Sequence, residues 1–359
     1  MQITTYFSNA KALFLTFFGV SLILLISCKT SDNYQINALQ KHDIDALINH
    51  DTKKPFNGII LITKNNEIVY SKIQGYSDIE NKIPLKKNDQ FIIGSVSKQF
   101  TAVIVLQEYD KGHLDLFSPI RKYLPELTQS WADTITVHHL LTHTHGIIAP
   151  DQPTKFKAGS QYEYSQIGYG LLAKIVEKTS GKTFIKLSEE LFKSCNMHHT
   201  FHPDLHYDHL VKGYIEDEEG KLHAYPKEYW IDFPVAAGTF ISTAEDLALW
   251  DQNLFNGKLL KETTFQMMVS KHQNAIRNHP VFGITEYGYG ITVDDKKNFI
   301  VWGQTGLIPG YVSMNFYYPQ TDTSVIVLEN INYDTKDLKK TFYYHTQILD
   351  IIRKSIQNL

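Results

Sequence analysis

Arginine is nearly absent from this 359-residue chain, which has only Arg121, Arg277 and Arg353. Bidentate carboxylate clamps are normally built from arginine, so few places in the molecule can hold one. Lysine and arginine form no stripe and the formal net charge is −3, which argues against nucleic acid as a partner. Cysteine is reduced to Cys28 and Cys195. There is no internal repeat, no low-complexity tract and no Gly-x-Ser-x-Gly, so the strained nucleophile elbow that this motif marks has no support. What remains is ordinary in apolar content and long enough for one large domain or two intimate ones.

The N-terminus reads as a targeting segment. Lys11 precedes an uncharged apolar run over residues 12–27, short of the about 20 apolar residues a spanning helix needs. The run ends in Leu25-Ile26-Ser27-Cys28, which resembles the lipobox of bacterial lipoproteins, where the cysteine is diacylated and becomes the first mature residue. The resemblance implies a signal peptide over 1–27, lipidation at Cys28 and a tether over 28–44. It also implies export to the periplasm or cell surface, with two acyl chains giving a stable membrane anchor. Cys195 would then have no intramolecular disulfide partner. The alternative is an uncleaved anchor helix with an incidental cysteine.

Strands are expected at both ends of the rest of the chain. Residues 57–63 and 67–74 are rich in β-branched side chains and flank Asn65-Asn66, a tight-turn pair. Residues 299–303, 311–318 and 323–329 read likewise, and the amphipathic run 337–356 closes the chain as a helix, with Phe342, Ile348, Ile351 and Ile352 facing the core. Between them, helical spacing recurs over 96–111, 166–180 and 243–254; the first two stop at Gly112 and Gly181. The expected fold is therefore α+β: an antiparallel sheet assembled from both chain ends, flanked by helices, with an inserted mainly helical subdomain and a cleft where the parts meet. The single domain is expected over 45–359, its sheet part near 45–115 and 280–359 and its helical part near 116–279.

The stretch FIIGSVSKQF, residues 91–100, places Ser95 and Lys98 three apart at a helix start. A serine there sees the positive end of the helix dipole, which stabilises a developing oxyanion. Lysine at i+3 shares its face, and burial would lower the lysine pKa until it can take the serine proton. Spacing alone does not decide, because Ser8 and Lys11 repeat it in the leader segment. A capping serine beside a solvated lysine would read the same way.

The wider context resembles the serine β-lactamase and penicillin-binding-protein superfamily, in its branch of class C β-lactamases, D-Ala-D-Ala carboxypeptidases and esterases. The similar stretches are F-x-I-G-S-V-S-K-Q-F-T-A around Ser95, then residues 111–125, 140–147, 236–247 and 302–310, in the order expected. The resemblance implies a β-lactamase/transpeptidase-like fold and an acyl-enzyme on Ser95, with Lys98 and a tyrosine as the base system. The second motif, Tyr-x-Asn, occurs nowhere in the chain; Tyr164-Ser165-Gln166 stands in its place. The third motif, normally Lys or His before Thr-Gly, is Gln304-Thr305-Gly306, followed by Leu307. By resemblance, Thr305 would bond substrate, and the N–H groups of Ser95 and Leu307 would form the oxyanion hole. Ser31-Asp32-Asn33 precedes Ser95 and so lies in the wrong order to matter.

The two glutamines carry the expectation about substrate. Gln304 brings no charge where the superfamily has a cation, and only Arg277 is a conceivable replacement, so recognition of a substrate carboxylate should weaken. Gln166, one methylene longer than asparagine, should project deeper into the cleft. The expected activity is acyl hydrolysis of an ester, amide or peptide with poor β-lactam turnover, on a small-molecule or peptide substrate and without a cofactor. The alternatives are a D-Ala-D-Ala carboxypeptidase or true β-lactamase, and a catalytically idle ligand-binding lipoprotein. A metal hydrolase is the weakest reading: His138, His139, His143 and His145 cluster, but the following residues lack the aspartate–histidine continuation of metallo-β-lactamases. Tyr287 and Tyr289 are expected to pack in a strand, Tyr229 and Trp230 to pack in the subdomain or line the cleft, and residues 216–219 to form an exposed hairpin turn.

Overall fold

Strands that are apolar at every position need cover on both faces, and the strand Gly58–Lys64 (β1), sequence GIILITK, is buried along nearly its whole length. The structure, a computed structural model, describes residues 38–50, 52–226, 233–279, 281–296 and 299–357. The expected signal peptide, Cys28 and most of the tether, together with Tyr229 and Trp230, lie outside the described residues. No described helix is long and apolar enough to cross a membrane.

β1 turns at Asn65 and Asn66, both in the left-handed region at φ 47° and 65°, into Glu67–Gln74 (β2). The remaining strands of the main sheet come from the far end of the chain: Ile276–His279 (β3), Gly283–Tyr287 (β4), Thr292–Asp294 (β5), Val301–Ile308 (β6), Tyr311–Tyr318 (β7) and Thr323–Glu329 (β8). Their order is β2-β1-β8-β7-β6-β5-β4-β3, antiparallel throughout. β1 meets β8 in register from Gly58 opposite Glu329 to Lys64 opposite Thr323. The two chain ends thus close one sheet, as the strand pattern implied. The sheet part starts at β3, four residues earlier than expected.

Alternation along the strands sorts the two faces. Ile59 and Leu61 of β1 and Ile326 and Leu328 of β8 join the core that holds Ser97–Asp110 (α2), Gln166–Ser180 (α3) and Ala244–Phe255 (α4). Ile60, Ile62, Val325 and Val327 face the other way, against Ala38–Ile48 (α1) and Tyr343–Gln357 (α5). This is a three-layer arrangement with helices on both sheet faces. α1 begins inside the expected tether, because Ile44 and Ile48 are fully covered there by the terminal helix layer.

The C-terminal helix is broken where one continuous run was expected. Leu338–Thr341 forms a single turn capped by Asp337, and Phe342 leaves helical geometry before α5 begins. Thr341 explains the break, since its hydroxyl donates to the carbonyls of Tyr333 and Asp334 and ties that turn to the end of the preceding strand. Phe342, Ile348 and Ile352 are buried as expected, and Ile351 is half-buried.

The inserted part is less helical than its sequence suggested. Residues 112–165 hold only short turns and Val137–Leu141. Tyr214–Glu216 and Leu222–Ala224 form the expected hairpin around residues 217–220 and pair onward with Ile331–Asn332.

Candidate active site

α2 starts from a turn that lies against the edge of β6. Gly94–Val96 is a 3-10 turn feeding α2 directly, and Gly94 has φ +53° with Leu307 N only 2.6 Å from where a Cβ would stand. Only glycine combines that φ with that approach. The contact brings Ser95, at the positive end of α2, beside the Thr305-Gly306-Leu307 segment of β6.

Lys98, one turn on, has no exposed surface. Its ammonium is satisfied three ways: it donates to Ser95 Oγ at 3.2 Å, to Gln166 Oε1 at 2.8 Å and to the Ala237 carbonyl at 2.6 Å. The third acceptor is delivered by residues 234–239, which are latched to α2 by Thr101 Oγ1 donating to the Ala236 carbonyl and Phe240 N donating to Ser97 Oγ. The stretch 236–247, similar to superfamily sequences, therefore has a physical role: its backbone turn caps the buried lysine. Burial lowers the Lys98 pKa and Arg277 lowers it further, while Tyr164 opposes both.

Tyr164 sits just ahead of α3, and its hydroxyl donates to Ser95 Oγ at 2.6 Å. Lys98 Nζ lies 4.7 Å from the Tyr164 ring centroid and the Arg277 guanidinium 4.6 Å from it. Burial pushes this phenol up, but the Lys98 and Arg277 charges outweigh burial and bring it below the usual phenol range. Lys98 and Tyr164 are best described as one base sharing a proton across the Ser95 hydroxyl. Such a unit can take the serine proton.

Both glutamines are placed differently from expectation. Gln166, the first residue of α3, turns its carbonyl to Lys98 rather than reaching deeper into the cleft, because the buried ammonium needs that acceptor. Gln304 is fully buried; its Nε2 donates to the Tyr287 hydroxyl at 2.8 Å, so that donor is committed inside the protein. Its Oε1 accepts from Arg277 Nη1 at 3.2 Å. Arg277, the one replacement the sequence offered, reaches the site from β3, across the sheet edge rather than along the third motif. Tyr287 ends β4 and is fully buried, as expected, whereas Tyr289 is buried in the bend after that strand, against His138 and His272.

Two histidines border the Ser95 network: His279, which carried no sign in the sequence, and His143, from the 140–147 stretch that resembles an element beside the superfamily's cleft. His279 Nδ1 accepts from the N–H groups of Val281 and Phe282, so its Nε2–H donates to Thr305 Oγ1 at 3.1 Å. Thr305 Oγ1 is thereby an acceptor for His279, and its own hydroxyl hydrogen remains available to donate. Burial, helped by Arg277, holds the His279 pKa down at about 3, so this histidine stays neutral. His143 lies against Tyr164, with ring centroids 4.5 Å apart.

The four clustered histidines do not converge. His138 Nδ1 pairs with the Tyr289 hydroxyl, His139 Nδ1 accepts from Thr136 N, His143 Nδ1 from Ser165 N and His145 Nδ1 from Ile147 N. Among the described residues, no group of three or more His, Cys, Asp or Glu is placed to hold a metal ion.

Penicillin-binding protein 4* of Bacillus subtilis (strain 168) is 29% identical over 329 residues, spanning 79% of this chain and 70% of its own length. The putative penicillin-binding protein PbpX of the same strain is 28% identical over 299 residues, spanning 78% and 72%. The solved penicillin binding protein from Bacillus halodurans superposes with a TM-score of 0.69 at 25% identity, over 84% of this chain and 98% of that one. The D-amino acid amidase from Ochrobactrum anthropi SV3 reaches a TM-score of 0.75 at 21% identity, over 89% and 99%, a likeness of fold. A family model described as Beta-lactamase matches residues 44–350, from α1 into α5 and across every residue of the Ser95 network. The chain belongs to the Beta-lactamase family.

Proposed function

We propose that this protein hydrolyses an ester, amide or peptide bond through an acyl-enzyme on Ser95, with poor turnover of β-lactams. One observation carries the reading: Ser95 Oγ lies 3.2 Å from a fully buried lysine amine and 2.6 Å from a phenol whose pKa is lowered. The Lys98–Tyr164 unit takes the Ser95 proton as Oγ attacks the acyl carbonyl. The N–H groups of Ser95 and Leu307 receive the developing oxyanion, and donors of this kind are typically worth about 10²–10³ in rate. Tyr164 returns the proton to the leaving group. In the second half of the cycle it takes a proton from the water that attacks the ester and passes that proton to Ser95 Oγ as the acyl–oxygen bond breaks, which releases the acid and restores the serine hydroxyl.

Arg277 favours a second reading, in which the substrate carries a carboxylate, as for a carboxypeptidase or a β-lactamase. The guanidinium and the available hydroxyl hydrogen of Thr305 together suit an anionic acceptor. We further propose that the leader segment directs export and that Cys28 carries the lipid anchor; loss of membrane association in Cys28→Ala would support this, and retention would exclude it.

The test labels wild type and Ser95→Ala with a fluorophosphonate and a fluorescent penicillin, and follows p-nitrophenyl ester hydrolysis. Phosphonate labelling and ester turnover, both lost in Ser95→Ala, are expected. Efficient hydrolysis of penicillins would replace the first reading with the second, and stable penicillin labelling without any turnover would identify an idle binder. Labelling by neither reagent would exclude an activated Ser95.

A further inference from the structure

His143 has features that a packing residue does not need. It is a non-glycine residue at φ +58°, a conformation uncommon outside glycine and often retained at functional sites. It is fully buried, and its Nε2 has no hydrogen-bond partner, an unusual condition for a buried polar atom. Its other polar atoms bracket Tyr164 on both sides: the His143 carbonyl accepts from Glu163 N at 2.9 Å, and Nδ1 accepts from Ser165 N at 3.2 Å. The ring itself packs on Tyr164, with Tyr162, Tyr169 and Tyr287 completing a cage at centroid distances of 5.7, 5.1 and 5.0 Å.

We infer that His143 is a positioning residue for the general base: a neutral clamp, locked in the Nε2–H tautomer, that fixes the backbone on either side of Tyr164 and so holds the phenol on Ser95 Oγ. This rests on the reading of Tyr164 as part of the base. The tautomer follows from the Ser165 N–H, which requires a lone pair on Nδ1. Neutrality follows from the surroundings, because the ring is enclosed with Lys98, Arg277 and His145 facing it and no carboxylate partner. A charged imidazolium would also have to turn Nδ1–H against the Ser165 N–H and break the clamp. Asparagine would preserve both of the clamp's requirements, since it tolerates positive φ and offers an oxygen near the place of Nδ1. Phenylalanine would preserve the ring but lose the acceptor.

The test compares wild type, His143→Asn and His143→Phe in p-nitrophenyl ester hydrolysis against pH, with thermal denaturation alongside. In His143→Phe, kcat should fall by about 10²-fold, the scale of a misplaced catalytic group, with KM little changed. The acid limb of its pH profile should move up as Tyr164 leaves the cationic pocket. His143→Asn should recover most of that loss. Equal loss in both variants, or an unmoved acid limb in His143→Phe, would overturn the inference. If His143→Phe does not fold, ¹⁵N shifts of the histidine rings in wild type decide the matter: the His143 ring should stay neutral with the proton on Nε2 from pH 5 to 8, and titration within that range would overturn it. Failure of the wild type itself to turn over ester would instead count against the function proposed above.

Discussion

Replacing Asp251 with asparagine should make this protein more stable at neutral pH, although it removes a native hydrogen-bonding carboxyl. Asp251 lies on α4 against the sheet, with 1% of its surface exposed. Its Oδ1 accepts from Asn315 Nδ2 at 2.8 Å, and Ser324 is a second hydrogen-bonding neighbour of the carboxyl. Burial pushes the carboxyl up to about 7 from 3.8, against the lowering effect of its hydrogen bonds with Asn315 and Ser324. The folded state therefore holds a proton that the unfolded chain has lost between these values. The stabilisation is fully present below the unfolded pKa and is lost as pH rises through the folded one. At about 1.4 kcal/mol per pKa unit, the full shift is worth about 4 kcal/mol, of which roughly half is lost between pH 5 and pH 7.5. The asparagine amide cannot ionise and supplies an N–H permanently. Urea unfolding of wild type and Asp251→Asn from pH 5 to 7.5 should give free-energy differences that grow in favour of the variant by about 2 kcal/mol. Other buried acids are common to both proteins and cancel in the difference. Parallel stability curves, or a variant that loses ground as pH rises, would refute the assignment.

Three further outcomes follow from the site. Arg277→Met removes a charge that lowers the Tyr164 phenol, so the acid limb of the ester-hydrolysis profile should rise by about one pH unit; an unchanged profile would show that Lys98 alone sets it. Gln304→Lys would place the cation usual in the third motif into a fully buried position 3.2 Å from Arg277. Urea denaturation should then report destabilisation by about 2–4 kcal/mol rather than improved β-lactam turnover. Gly94→Ala drives a Cβ to within 2.6 Å of Leu307 N; kcat should fall by about 10²-fold through loss of the oxyanion donors, measured on ester substrate, with labelling by fluorophosphonate slowed in step.

How much of this was legible in the sequence depended on distance along the chain. Ser95, Lys98 and Tyr164 could be read because each stands in a local run whose neighbours serve the same chemistry. The strands could be read because their alternation is local too. His279 could not be assigned a role, and Arg277 could be named only as a conceivable source of charge, since what matters is that β3 lies at the sheet edge facing Thr305, a fact of pairing across three strands. Their signal was compositional at best: one of only three arginines, two residues from a histidine. Ala237 contributes a carbonyl, which leaves no mark on side-chain identity. Gln166 and Gln304 were misplaced for one reason. Reasoning from motif position presumed that both faced the substrate, whereas each meets an obligation to a buried cation or phenol first. The break at Phe342 likewise came from a tertiary hydrogen bond, made by Thr341, that no periodicity encodes.

The pairing of β1 with β8 also sets when the enzyme can act. A growing chain that has reached residue 300 already contains Ser95, Lys98, Tyr164 and Arg277. It still lacks β6, whose Leu307 N–H borders the nucleophile, and β8, without which β1 has no inner neighbour. Contacts between such distant segments form late and slowly, because the loop must close before they repay its entropy. The reactive serine is thus carried through synthesis in an unarmed form, and chain completion itself becomes the activating step.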